Sequence, residues 1–204
     1  MTVAIGVVHD ELIHARFMLC LLALKTQRPG APTIMVPGGP GNFDVARNKV
    51  ASFFLENTKC SHLLTVDTDM VFTPDMLKSL LKRDVGAVSG AYFVNDTRPR
   101  PCFGRRDETG VIRTVTDWEE GELFEVDAVG GGFMLIHRDV LTAIGPPDSD
   151  RGGPWYRQSA YGASGSMLEP DHAFCQRVQQ AGHKVYVDAG VFVGHIKPRV
   201  LGWE

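Results

Sequence analysis

The residues in this chain best placed to do chemistry are two carboxylates, Asp67 and Asp69, which follow directly on the apolar run His62-Leu63-Leu64-Thr65-Val66. That run has the length and composition of a buried strand, so Asp67-Thr68-Asp69 arrives just past a strand's carboxyl end, the edge where open α/β sheets bind ligands. An Asp-x-Asp triplet alone carries little. With 15 Asp in 204 residues about one arises by chance, and Asp148-Ser149-Asp150 is a second copy. Context gives the first copy weight: ionised carboxylates beside a strand core are costly unless a cation or hydrogen-bond donors compensate them, and aspartate oxygens suit Mg²⁺ or Mn²⁺. The plainer alternative is local, with Asp69 and Thr73 serving the turn before a helix that begins at Pro74.

The elements that must position these residues alternate. Thr2 to Val8 is a strand-length apolar run, and Glu11 to Thr26 places Leu12, Ala15, Leu19, Leu22 and Ala23 at helical spacing. The same order repeats: strand 32–36 and helix 43–55, strand 62–66 and helix 74–83, then strand 85–93. Such alternation predicts an α/β fold with a mainly parallel sheet covered by helices on both faces. The second half reads differently. Strand-like segments 111–116, 123–129 and 133–137, separated by Gly and acidic turns, predict a smaller antiparallel or mixed part. Residues 145–168 hold five Gly and three Pro without a period and read as a lid, before a helix over 170–181 and late strands 184–187 and 191–193.

With 44% hydrophobic and 22% charged residues, the chain is ordinary for a globular protein, and a formal charge of −3 argues against a global basic field for nucleic acid. Cys20, Cys60, Cys102 and Cys175 lie far apart, which excludes a Cys-x-x-Cys redox or zinc motif and predicts a reduced, cytoplasmic setting. The longest apolar run, Phe17 to Leu24, is far short of the roughly 20 residues of a spanning helix, and the first residues lack a basic leader pattern. No membrane partner is expected, and nothing in the sequence specifies an oligomer.

Leu63-Leu64-Thr65-Val66-Asp67-Thr68-Asp69-Met70-Val71-Phe72 resembles the Asp-x-Asp segment of family 2-like glycosyltransferases with the GT-A fold. Other segments follow in that group's order. Val45-Ala46-Arg47-Asn48 is similar to its Ala-Arg-Asn stretch, and Gly130-Gly131-Gly132-Phe133-Met134-Leu135 to its Gly-rich acceptor-side strand. Asp171-His172-Ala173-Phe174-Cys175 resembles its Glu-Asp-x-x-Phe-Cys helix. One departure stands out: the Glu of that pair is replaced by Pro170, and the nearby Glu is Glu169.

The resemblance implies a GT-A-like α/β/α sandwich forming one glycosyltransferase domain over 1–204, with a nucleotide-sugar half (1–95) and an acceptor half (96–204). It implies that Asp69 ligates Mn²⁺ or Mg²⁺, that Asp67 contacts the metal or the donor ribose, and that His195 is a further metal ligand. His9, Asp10, Arg47 and Thr68 would flank the donor, a nucleotide-diphosphate sugar with UDP favoured. Gly131 and Gly132 would meet the acceptor, a hydroxyl on a glycan, a protein or a modified DNA base, the last requiring a flipped base. Asp171 takes the role of general base in a single, inverting displacement, with Glu169 sharing it or holding a sugar hydroxyl. Small chains of this type are similar to proteins often encoded by bacteriophages.

Each of these residues also has a structural reading. Acidic residues favour first helical turns for the sake of the dipole, His195 closes the run Val191-Phe192-Val193, and Arg47 fits a solvated helix face. Trp155 and Tyr156 suit stacking on a sugar in the acceptor site or burial beneath the loop equally well. Gly38-Gly39-Pro40-Gly41 lacks the ending of a phosphate loop, and the cluster Arg98, Arg100, Arg105 and Arg106 suits phosphates or a solvated hairpin. Two other functions compete. Asp67-Thr68-Asp69-Met70-Val71 also fits the loop of haloacid-dehalogenase-like phosphatases with Asp67 as nucleophile, although that motif follows a first strand rather than a third. A calcium- or carbohydrate-binding module is hinted at by Asp148, Asp150, Gly152 and Gly153, but the twelfth position is Ser159 rather than Glu.

Overall fold

The computed structural model describes residues 1–10, 12–39, 42–94, 98–147, 153–161 and 166–197. The first half runs β1 (Val3–His9), α1 (Ala15–Gln27), β2 (Thr33–Pro37), α2 (Phe43–Asn57), β3 (His62–Asp67), β4 (Met70–Val71), α3 (Pro74–Lys82), β5 (Ala87–Ala91) and β6 (Phe93–Val94). The second half begins with β7 (Arg100–Pro101), β8 (Phe103–Arg106), β9 (Ile112–Thr114), β10 (Leu123–Val126), β11 (Ala128–Val129), β12 (Phe133–His137) and α4 (Arg138–Ile144). It ends with β13 (Ala160–Tyr161), β14 (Ser166–Met167), α5 (Pro170–Gln180), β15 (Val185–Phe192) and β16 (Gly194–His195).

Seven strands form the central sheet in the order β10-β15-β5-β12-β3-β1-β2. Five of the seven point one way, and only β12 and β10 are reversed. The alternating first half therefore gives the parallel framework expected of it, with one correction: β12, from the second half, lies between β3 and β5 rather than in a separate sheet. Phe133 to Ile136 are all buried, so this strand needs cover on both faces, which only a central position supplies. The smaller antiparallel part is the sheet β11-β8-β9. The two late strands are one, β15, whose register shifts between Asp188 and Phe192.

Side chains alternate across the strands and sort into two cores. Val3, Ile5 and Val7 of β1 pack with Phe17, Leu21 and Leu24 of α1 and Leu77, Leu80 and Leu81 of α3. On the opposite face, Ala4 and Val8 join Val50 and Phe54 of α2, Val140 and Leu141 of α4, and Phe174 and Val178 of α5. The buried stripe of α1 differs from the expected one: Leu12, Leu19 and Leu22 are exposed, because the helix begins at Ala15 and turns its other side inward.

The segment read as a lid is pinned rather than free where it is described. Trp155 and Tyr156 are buried, Trp155 Nε1 donates to Leu141 O (2.8 Å), and Tyr156 stacks on Phe174 with centroids 4.5 Å apart. The calcium-loop residues Asp148, Asp150 and Gly152 lie outside the described residues, as do Pro40 and Gly41 of the glycine turn.

At the amino end of β3, remote from the sheet's carboxyl edge, His62 is 4% exposed and faces its register partner His137 edge-to-face, with rings 4.8 Å apart. Burial, then the neighbouring imidazole and terminal amine, lower its pKa from 6.5 to about 4 against a small opposing pull from Asp84. The unfolded chain therefore takes up this proton at higher pH than the folded one, so stability is lost as pH falls from 6.5 toward 4. The loss from this group amounts to roughly 3 kcal/mol. In urea unfolding at the two ends of that window, His62→Gln is expected to lose less stability than the parent; an identical loss would remove His62 from the account.

Candidate active site

β3 carries the chain to Asp67, and a two-residue turn at Thr68 and Asp69 leads into β4. β4 pairs with β16, placing His195 opposite Met70, and Ile196 N donates to Asp69 O (2.8 Å). This short ribbon brings together two residues 126 positions apart: His195 Nε2 lies 2.9 Å from Asp69 Oδ2. Lys197 Nζ donates to the same oxygen at 3.0 Å. Burial alone would raise the Asp69 pKa, but the hydrogen bonds from His195 and Lys197 outweigh it and hold the pKa near 2. Asp69 is thus a fixed anion and no helix cap; Thr73, which precedes α3, makes no side-chain capping bond either.

Behind this pair Arg47, 7% exposed, joins three elements. Its Nη2 donates to Asp67 Oδ2 (3.0 Å), its Nη1 to Gly131 O (3.1 Å), and its Nε lies 3.1 Å from Asp171 Oδ1. Burial disfavours the guanidinium charge, but Asp171 and Asp67 outweigh that and hold the proton more firmly than usual. For Asp67 the balance is opposite: burial raises its pKa despite Arg47. Arg47 is therefore neither a solvated helix residue nor a wall of the cleft; it links two carboxylates from below.

Asp171 sits in the first turn of α5, after Pro170, and its Oδ2 accepts from Gly131 N (2.8 Å). The glycine run owes its composition to this packing. A Cβ on Gly131 would stand 2.8 Å from Arg47 Nη1 and 2.9 Å from Asp171 Oδ1, and one on Gly132 would strike the Met70 methyl. Gly131 and Gly132, expected to meet the acceptor, are buried with protein filling the space beside them and do not line the cleft, whereas Gly130 does.

The cleft over the sheet's carboxyl edge encloses about 380 Å³. It collects Asp10, Asp67, Thr68, Asp69, Asp171 and His195 from the residues singled out in the sequence. Others fall outside it. His9 turns its Nδ1 to Asp10 O, Glu169 is exposed beside Asp171 without lining the cleft, and Trp155 and Tyr156 belong to the core because their rings are wholly covered. Sequence reasoning missed Lys197, Phe43 and Tyr92, which also line the cleft. Tyr92, whose hydroxyl accepts from Gly132 N (3.1 Å), was within reach because it directly follows β5 at the same sheet edge; Lys197 gave no signal beyond its closeness to His195.

Among the described residues no three His, Cys, Asp or Glu side chains form a closed metal cage. Asp69 and His195 nonetheless fit an open one. His195 Nδ1 is 2.7 Å from Phe93 O, and a carbonyl only accepts, so this nitrogen carries a proton. Nε2 then faces a carboxylate oxygen at 2.9 Å, an approach that needs either a second proton or a cation held by both groups. A histidine whose other nitrogen donates to a backbone carbonyl is the usual arrangement of a metal ligand. Asp67, turned toward Arg47, is not part of that pair.

The architecture is a GT-A-like α/β fold. No protein-family model matches the chain, and no curated protein matches it in sequence. Solved structures match in shape. A197 from STIV superposes with a TM-score of 0.61 at 17% identity, over 97% of this chain and 87% of that one. GalNAc-T7, solved with UDP, GalNAc and Mn²⁺, superposes with a TM-score of 0.63 at 15% identity, over 100% of this chain but only 45% of its own length. Among the described residues no helix is long and apolar enough to cross a membrane.

Proposed function

We propose that this protein transfers a sugar from a nucleotide-diphosphate donor, UDP-sugar favoured, to an acceptor hydroxyl. The observation that carries this reading is the meeting of Asp69, His195 and Asp171 in one cleft at the carboxyl edge of a GT-A-like sheet. Asp69 and His195 would hold a divalent cation, Mn²⁺ rather than Mg²⁺ given the imidazole, which when bound supplies Lewis-acid stabilisation of the departing diphosphate. On this reading Asp67, Asp10 and Thr68 serve the donor, in the half formed by residues 1–95, and the acceptor belongs to the half formed by residues 96–204.

Asp171 acts as the base. Gly131 N and Arg47 fix its carboxylate from behind, while its partly exposed side faces the cleft. It takes the proton of the acceptor hydroxyl as that oxygen bonds to the anomeric carbon, and the bond to the diphosphate breaks with its electron pair leaving on phosphate oxygen. A single displacement of this kind inverts the anomeric centre. The phosphatase alternative is disfavoured by Arg47, whose charged bond to Asp67 Oδ2 draws electron density from the carboxylate that would have to attack.

Isothermal titration of UDP, GDP, CDP and ADP, with Mn²⁺ and then with a chelator, tests the reading without an acceptor. Metal-dependent binding of one diphosphate, UDP first, is expected. Binding of none would overturn the transferase assignment, and turnover of a generic phosphomonoester would put the phosphatase in its place.

A further inference from the structure

Lys197 is the only lysine or arginine lining the cleft among the described residues. Its ammonium rests on Asp69 Oδ2, the oxygen that also meets His195 Nε2. The side chain is 41% exposed and makes no other ion pair among the described residues. Of the cleft's other carboxylates, Asp67 and Asp171 are matched by Arg47, and among the described residues Lys197 forms its ion pair with Asp69 and not with Asp10. A divalent cation on Asp69 and an ammonium on the same oxygen repel each other, and a lysine stem is long and flexible enough to leave.

We propose that Lys197 is a ligand for the donor's diphosphate, held on Asp69 until a divalent cation takes that carboxylate. The inference rests on the transferase reading. A nucleoside diphosphate brings more negative charge than one divalent cation neutralises, and the ammonium released from Asp69 stands at the cleft wall where that excess arrives. Lys197 thus opposes the metal when it comes alone and favours the nucleotide once the metal is present, which couples the two binding events.

The test is a pair of opposed effects in Lys197→Met. Free Mn²⁺, followed by its electron paramagnetic resonance signal without nucleotide, is expected to bind the variant up to about tenfold more tightly. UDP, or whichever of the four diphosphates binds the unaltered protein, is expected to bind about tenfold more weakly at saturating Mn²⁺, with Lys197→Arg restoring most of the loss. A lysine that only braces the turn would weaken both ligands together, and that result, or unchanged diphosphate affinity, overturns the inference while the transferase reading stands. If the unaltered protein binds no diphosphate, the reading fails and takes this inference with it.

Discussion

Replacing Asp69 with alanine is expected to abolish metal-dependent donor turnover, a fall of roughly a thousandfold or more, in a chain that stays folded. The functional loss follows from ligand count, because His195 alone is one donor and cannot hold a divalent cation against water. The structural cost is small because Asp69 sits in a turn, and the two side chains it satisfies are an exposed lysine and a histidine that keeps its bond to Phe93 O. The ribbon that places His195 is held by backbone bonds, including Ile196 N to Asp69 O, which alanine retains. A stability change of about 1 kcal/mol is expected on that basis. Mn²⁺-stimulated release of nucleoside diphosphate, measured beside the urea midpoint, checks both halves, and retained turnover would remove Asp69 from the metal.

Asp171→Asn is expected to lower kcat by about 10² to 10⁴ while leaving diphosphate affinity unchanged. The amide keeps an oxygen for Gly131 N but cannot take a proton, and its nitrogen turns a donor toward Arg47 Nε in place of Oδ1. Because that contact is partly buried, a destabilisation of about 1 to 3 kcal/mol accompanies the loss, so kcat is to be compared at a temperature well below both midpoints. Glu169→Gln provides the contrast. Glu169 is exposed and outside the cleft, so its variant is expected to stay within about twofold of the parent. The reverse pattern, a crippled Glu169 variant and an active Asp171 variant, would move the base two residues back, to Glu169.

The sheet and its edge were readable because β3 is mostly apolar, with Leu63, Leu64 and Val66, and ends in acid, a contrast that survives without any knowledge of neighbours. It did not show how His195 reaches Asp69, since a ribbon of two-residue strands has no periodicity to detect. Nor could it tell a glycine that admits substrate from one that admits protein; Gly131 and Gly132 are small because Arg47, Asp171 and Met70 already occupy the space. Helix α4 was absent from the sequence reading for a related reason: it follows β12 with no intervening turn, so Phe133 to Ile144 carries two periods without punctuation. Trp155 and Tyr156 mark the limit of composition, because a glycine-rich stretch suggests mobility while two covered rings tie it to the core.

The position of β12 also bears on how the chain is made. When residues 1–91 have left the ribosome, β3 has β1 on one side and nothing on the other, and β5 has no neighbour on either side. Their partners come later, β12 from residues 133–137 and β15 from residues 185–192. Until then two strands that the finished fold buries almost completely present open hydrogen-bonding edges, the state most exposed to pairing with other chains and to capture by chaperones. The sheet therefore cannot close until both later strands are made, the gap between β3 and β5 filling with β12 and the far side of β5 with β15.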